Sequence, residues 1–556
     1  MTDSRTDAHR PHPALTRLAA EARENALSRR EFLALATTLG ATAAAAYAMM
    51  GSAAPARADV PMARGGTLRI GEEVLALRDP RTWDRNPMAN FCRGWLEYLV
   101  ETALDGSLRP MLLERWEVND DATEYVLRVR PGVTWNNGDA FTAQDVAFNI
   151  TRWCDRDVEG NAMASQFDSL VDPSTNHAID GAIQVIDTHT LRLTLPKPDI
   201  TIMAAMAQYP AAIVHPSYDG GDPLTSPIGT GPYRPGSYEV GFKGVLVRNE
   251  DHDWWGTDTI GGGHLDRVEY IDYGVDPTTY VAAAEADEID MLQETASDFV
   301  AIMDNLDGWE KSEMATAQTV VIRANQNAEI DGVKPYADVR VRRALALAID
   351  HRACLDLGYN GLGTIAENHH VSPLHPEYAD IGPAPHDPVA AAALMEEAGL
   401  SDFEHELISI DDDWRRKTCD AAAAQLRAAG IKKRRTVLPG PSFWNGWLTH
   451  PLSATNWGPR PLGVQVLSLA YRSTAKWNES GFANTEFDTH LDEAMTIADA
   501  DRRRDVMRRL EEIMREQGVI MQPYWRALVR HHREGLINAE PHPTGEIQIY
   551  RLGYAA

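Results

Sequence analysis

The chain has 556 residues, 44% of them hydrophobic and 24% charged, with a formal net charge of −28. Residues 1–58 hold seven Arg and five Asp or Glu, a net +2, which leaves −30 on the remainder. So acidic a chain repels phosphate backbones, which excludes nucleic acid as a partner, and its length predicts two or three lobes around separate cores.

The first segment reads as a targeting peptide. Ser28-Arg29-Arg30-Glu31-Phe32-Leu33 opens an apolar run to Met50, and Ala56-Arg57-Ala58 precedes Asp59. A charged lead, an apolar stretch and a small-residue end are the layout of a removable signal, and the paired arginines assign it to the twin-arginine class. Cleavage is expected after Ala58. The alternative is a retained anchor, although Ala, Thr and Gly make the run weakly apolar for a bilayer span of about 20 residues.

Strand- and helix-like segments then alternate. Residues 66–70 read as a strand. A helix is expected from about Asn90 to Glu101, with Phe91, Trp95, Tyr98 and Leu99 at helical spacing. Asp105-Gly106 is a turn. Glu124–Val129 alternates as a strand, and Thr142 with Asp145 three residues later predicts a capped helix start. Residues 185–194 read as one strand, and Val339–Ile349 turns helical. The mixture predicts α/β lobes.

Motifs for catalysis are missing. There is no H-E-x-x-H, no G-x-S-x-G and no phosphate-binding Gly-Lys-Ser/Thr; Gly261-Gly262-Gly263 reads as a flexible loop. His369, His370 and His375 have metal-ligand chemistry, but Pro373 and Pro376 suggest an irregular surface loop. Asp411-Asp412-Asp413 reads as a solvated charge run. Cys92, Cys154, Cys354 and Cys419 are far apart and read as small buried hydrophobes rather than a disulfide framework. No cofactor, metal or enzymatic activity is expected.

Five blocks in order resemble the family 5 solute-binding proteins of ABC importers, the oligopeptide, dipeptide and nickel-chelate binders. They are 105–117, from Asp105-Gly106 to Leu113-Glu114-Arg115-Trp116-Glu117; 127–146, from Leu127 through Arg130-Pro131-Gly132-Val133-Thr134-Trp135 to Val146; 227–255, from Pro227-Ile228-Gly229-Thr230-Gly231-Pro232-Tyr233 to Trp254-Trp255; 339–351, from Val339 to His351; and 484–488, Asn-Thr-Glu-Phe-Asp. The resemblance spans nearly all of 65–556. It implies an α/β, two-lobed periplasmic binding protein fold joined by a two-strand hinge, with an extra subdomain on the first lobe. The implied division is signal peptide 1–58; lobe one 59–108, 226–318 and 524–556; extra subdomain 109–225; lobe two 319–523. Ligand would lie between the lobes, which close on it.

Within this frame, Thr455-Asn456-Trp457-Gly458-Pro459-Arg460-Pro461 is the informative stretch. Peptide binders of the family keep an aspartate three residues after the tryptophan, where it pairs with the peptide's amino terminus. Here that place is Arg460, which reverses the charge and favours a carboxylate, since guanidinium grips it through two parallel hydrogen bonds. Asn456, Trp457 and Arg460 are therefore expected at the ligand. Phe443, Trp444, Trp447 and Trp477 are further candidate cleft walls, and of these four rings together with Trp457 two are expected to line the cleft, Trp457 first. Asn90 and Arg93 correspond to a cleft-facing segment of lobe one.

The resemblance implies a monomeric periplasmic receptor that delivers a carboxylate-bearing peptide-like or amino-acid-derived solute to permease subunits and their ATPase subunits. A metal chelate is the rival cargo. A secreted hydrolase with a scattered active site and a sensory or chaperone-like role are the rival classes.

Overall fold

A computed structural model describes residues 12, 14–23, 29–50, 52, 60–119, 121–497 and 500–556. Its spine is one large mixed sheet. From one edge to the other the main strands are Lys433–Leu438, His405–Ile410, Leu452–Trp457, Trp309–Ala324, Tyr524–Arg533, Met291–Leu292, Thr67–Gly71, Arg267–Ile271, Lys243–Arg248 and Tyr233–Glu239.

The middle pair decides the architecture. Trp309–Ala324 and Tyr524–Arg533 run antiparallel from Trp309↔Arg533 to Thr319↔Trp525, with a bulge between Ala315 and Gln318. The first half of Trp309–Ala324 alternates in exposure, and its last eight residues are mostly buried. That is the pattern of a strand leaving a half-solvated sheet edge for an interior covered on both faces. Apolar clusters divide on either side of this pair. One gathers residues from 68–291 and 536–552, another those from 320–431 with Leu452, Ala454, Met521 and Tyr524. A third, around Leu462, Leu467, Phe487 and Leu510, also takes in Ala122, Ile200 and Ala204. A separate four-stranded sheet, Leu113–Val118, Glu124–Val129, Thr190–Thr194 and Ile183–Asp187, lies within 109–225.

Several elements form as the local sequence dictates. Glu124–Val129 is a strand. The helix Ala143–Trp153 starts in a capping box between Thr142 and Asp145. Val339–Leu347 is a helix capped by Asp338, with Val341, Ala344 and Leu345 inward. All four cysteines are buried and free.

Three expectations need correction. The helix expected from Asn90 to Glu101 is instead Asn86–Cys92, followed by a turn and the strand Val100–Thr102. Past Cys92 the chain packs closely at Gly94, where a Cβ would lie 2.5 Å from the Leu246 side-chain atom Cδ1. Gly229 and Gly231 serve the same close approach, since their Cβ atoms would fall 2.0 Å from the Trp95 carbonyl oxygen and 2.7 Å from that of Gly94. The 185–194 stretch is a hairpin of two strands, not one, because the Asp187 carboxylate accepts from the His189 N–H and closes a turn. The histidine loop is buried rather than on the surface: His369, His370 and His375 are 0%, 1% and 1% exposed.

The described residues of the amino-terminal segment form three short helices, Ala14–Arg23, Arg29–Thr38 and Ala43–Met49. Its apolar run breaks at Gly40, where φ is +89°, and restarts at the Thr42 cap. No helix among the described residues is long and apolar enough to cross a membrane. Ala56-Arg57-Ala58 and Asp59 lie outside the described residues.

Candidate functional site

Strand Leu452–Trp457 ends beside the paired middle strands, with Trp457 opposite Thr319. The chain then turns through Gly458–Pro461 and delivers Arg460 into a narrow space between two walls. Leu374, His375, Pro459, Arg460 and Pro461 form one wall. Thr102, Gly106, Pro543 and Thr544 form the other, and Ala317 of the long strand also lines the space. The cavity is about 30 Å³, and Ala34 of the helix Arg29–Thr38 also lines it. A wider groove of about 370 Å³ near the helix Pro388–Glu397 shares no residue with this cleft.

Arg460 is 6% exposed. Its Nη1 donates to the carbonyl oxygens of Pro459 at 2.9 Å and Gly458 at 3.4 Å, and its Nε has no partner. Among the described residues no carboxylate forms an ion pair with it; the Tyr209 phenol is the polar side chain that interacts with it. Burial lowers its pKa from the ordinary guanidinium value. A cation without a counter-charge, held out of water, is costly and accepts an anion readily.

The imidazoles shape this wall. His375 Nδ1 accepts from the Ser372 N–H at 2.9 Å, which leaves Nε2 as the protonated nitrogen, 3.1 Å from the Arg460 carbonyl oxygen. His375 thereby fixes the backbone that carries the guanidinium. His370 meets the Tyr471 hydroxyl at 2.6 Å and packs edge-on against Trp457 at 5.5 Å. It holds φ at +63°, anchored by its N–H on the Gln522 side-chain oxygen at 2.9 Å. Such strained backbone persists only where the surroundings fix it. His369 Nδ1 accepts from the Val371 N–H at 3.3 Å, so its Nε2 carries a proton toward Glu367 and Glu511 rather than a lone pair toward a metal. Burial holds His369 neutral, with its pKa down at about 3.

Of the residues expected at the ligand, only Arg460 borders the cavity. Trp457 is 6% exposed; its indole N–H donates to Glu479 at 2.8 Å and its ring packs against Trp477 at 5.9 Å. Asn456 is exposed and accepts from Arg415. Trp444 and Trp447 pack against Ile408, Ile410 and Phe443, a cluster at the ends of neighbouring strands. Asn90 is fully buried, donating to Glu72 at 2.7 Å and accepting from the Ile547 N–H. Arg93 is locked between Glu101 at 3.2 Å and Glu546 at 2.7 Å. These two residues tie Glu72, Glu101, Glu546 and Ile547 together and do not line the cavity beside Arg460. Sequence reasoning missed Tyr209 and undervalued His375. Proline flanking pointed to irregular backbone and could not show that the loop is covered.

A family model described as bacterial extracellular solute-binding proteins, family 5, matches residues 107–479. Heme-binding protein A of Haemophilus influenzae is 25% identical over 441 residues, 74% of this chain and 77% of that protein. Among solved structures, the periplasmic binding protein DppA of Helicobacter pylori, in complex with the peptide STSA, superposes with a TM-score of 0.77 at 18% identity, covering 89% of this chain and 99% of that one. AgaA of A. tumefaciens R10, in complex with agropinic acid, gives 0.76 at 20% identity over 88% and 99%.

Proposed function

The chain belongs to family 5 of the bacterial extracellular solute-binding proteins, and from that premise we propose that it is a periplasmic receptor for an ABC importer, binding a carboxylate-bearing peptide-like or amino-acid-derived solute at Arg460. It captures the solute between its lobes and passes it to a membrane permease driven by separate ATPase subunits. No bond is made or broken on this chain. The paired strands Trp309–Ala324 and Tyr524–Arg533 form the hinge, and the two apolar clusters gathered on either side of them support a two-lobed division, with Tyr524 itself packing among the residues of 320–431.

One observation carries the ligand assignment. Arg460 is a buried guanidinium in the cleft with no carboxylate partner among the described residues. A ligand carboxylate supplies the missing charge and takes the idle Nε–H together with an Nη–H. The bound ligands of the two similar structures, a peptide and agropinic acid, are compatible with that chemistry. Both nitrogens of His375 are engaged, which favours a plain carboxylate over a metal held by this wall.

The test starts from mass spectrometry of the solute released from purified protein. Removing one side of a desolvated arginine–carboxylate pair costs about 3–5 kcal/mol, roughly two to three orders of magnitude in affinity. Arg460→Ala is expected to weaken binding on that scale while leaving the empty protein as stable as before. Arg460→Lys recovers little, because an ammonium lacks the fork. Amidating the ligand's carboxylate should hurt the wild type and barely affect the alanine variant; equal binding of acid and amide by wild type rejects the assignment.

A further inference from the structure

The leader does not trail away from the cleft; it packs into it. The helix Arg29–Thr38 lies against strand Leu108–Pro110, and Thr37 Oγ1 accepts the Leu108 N–H at 2.8 Å. That N–H is an outward group of an edge strand, one that nothing else in the sheet satisfies. The Trp116 indole donates to the Thr38 carbonyl at 3.2 Å, and the Tyr47 hydroxyl donates to Asp105 at 2.9 Å. Phe32, Leu33, Leu35 and Ala36 are at most 2% exposed and pack with Leu15, Leu18 and Tyr47, so the segment is a small folded unit of its own rather than a loose tail. Gly40 turns the chain against Trp116 so closely that a Cβ would sit 2.6 Å from the Trp116 carbonyl oxygen.

We infer that the binding cleft is also the docking site for this chain's own leader, so that leader and solute exclude one another and the uncleaved precursor cannot load. A helix with its side chains is about 10–12 Å across. Pockets for small ligands measure about 300–1,000 Å³, and with Ala34 in place about 30 Å³ remains beside Arg460. The occupant is Ala34 at the contact, so it fills volume, and among the described residues it supplies no carboxylate to Arg460. Removal of the leader therefore frees both the space and the unpaired guanidinium. The exclusion of solute rests on the cleft assigned above; the docking does not, and it is tested without any solute.

The experiment uses the full-length chain with two readouts. Hydrogen exchange follows the Leu108 amide. Phenylglyoxal, an arginine-selective reagent, reports access to Arg460, read by peptide mass spectrometry. Gly40→Val and Thr37→Val both lie in the leader and leave the lobes unaltered. The first forces a side chain into the Trp116 carbonyl, and the second removes the acceptor for Leu108. Both variants are expected to exchange the Leu108 amide about tenfold faster than wild type, as for a locally released hydrogen bond, and to label Arg460 about tenfold faster. Equal exchange and labelling in wild type and both variants overturns the docking. Faster exchange with unchanged labelling of Arg460 overturns the blocking. Either failure leaves the dependence of solute binding on Arg460 a separate question.

Discussion

Glu479 is the group on which the Trp457 strand depends. Its carboxylate accepts from Trp457 Nε1 at 2.8 Å and from Thr455 Oγ1 at 2.9 and 3.0 Å, and pairs with Arg323. Both charged side chains are 3% exposed. Glu479→Ala leaves the Arg323 cation buried, with the Trp447 carbonyl at 2.8 Å as its hydrogen-bond acceptor among the described residues. Breaking a buried pair on one side costs about 3–5 kcal/mol. For a folding unit of about 200 residues each kcal/mol lowers the melting temperature by about 2–4 °C, so the variant should melt roughly 6–20 °C lower. Scanning calorimetry measures this, and urea unfolding followed by tryptophan fluorescence checks it. The double variant Arg323→Met with Glu479→Leu should regain most of the loss, because two apolar side chains no longer strand a charge. A single-variant loss below about 1 kcal/mol, the range of an exposed pair, refutes the reasoning. So does a double variant no more stable than the single one.

Two further outcomes follow from the same physics. Glu72 is buried, and burial pushes its carboxyl up to about 8 from the ordinary 4.5. Between those pH values the unfolded chain releases a proton that the folded chain keeps, so stability falls as pH rises through this window, by about 1.4 kcal/mol per unit at most. Glu72→Gln should flatten that slope and exceed wild type in stability at pH 8; parallel stability curves would show that Glu72 does not titrate this way. Replacing Arg29 and Arg30 with Lys should hold full-length protein in the cytoplasm, whereas wild type should yield a mature chain starting at Asp59. Amino-terminal sequencing of both fractions decides it, and normal processing of the double variant removes the twin-arginine assignment.

What the sequence determined by itself was whatever is written within a few residues. The Thr142–Asp145 capping box closes over one helical turn, and Glu124–Val129 shows its alternation within one strand. The ordered blocks from Asp105 to Asp488 carried the family because their side chains make local turns and caps. Tertiary structure decided the rest. The helix that the spacing favoured ended at Cys92, and Gly94 beyond it packs where Leu246, far along the chain, occupies the room a side chain would need. Arg93 is neutralised by Glu546, 453 residues away. Arg460 differs: among the described residues no carboxylate pairs with it. The sequence supplied its charge, but whether a charge is matched depends on which distant residues share its low-dielectric surroundings, and only the folded chain sets that.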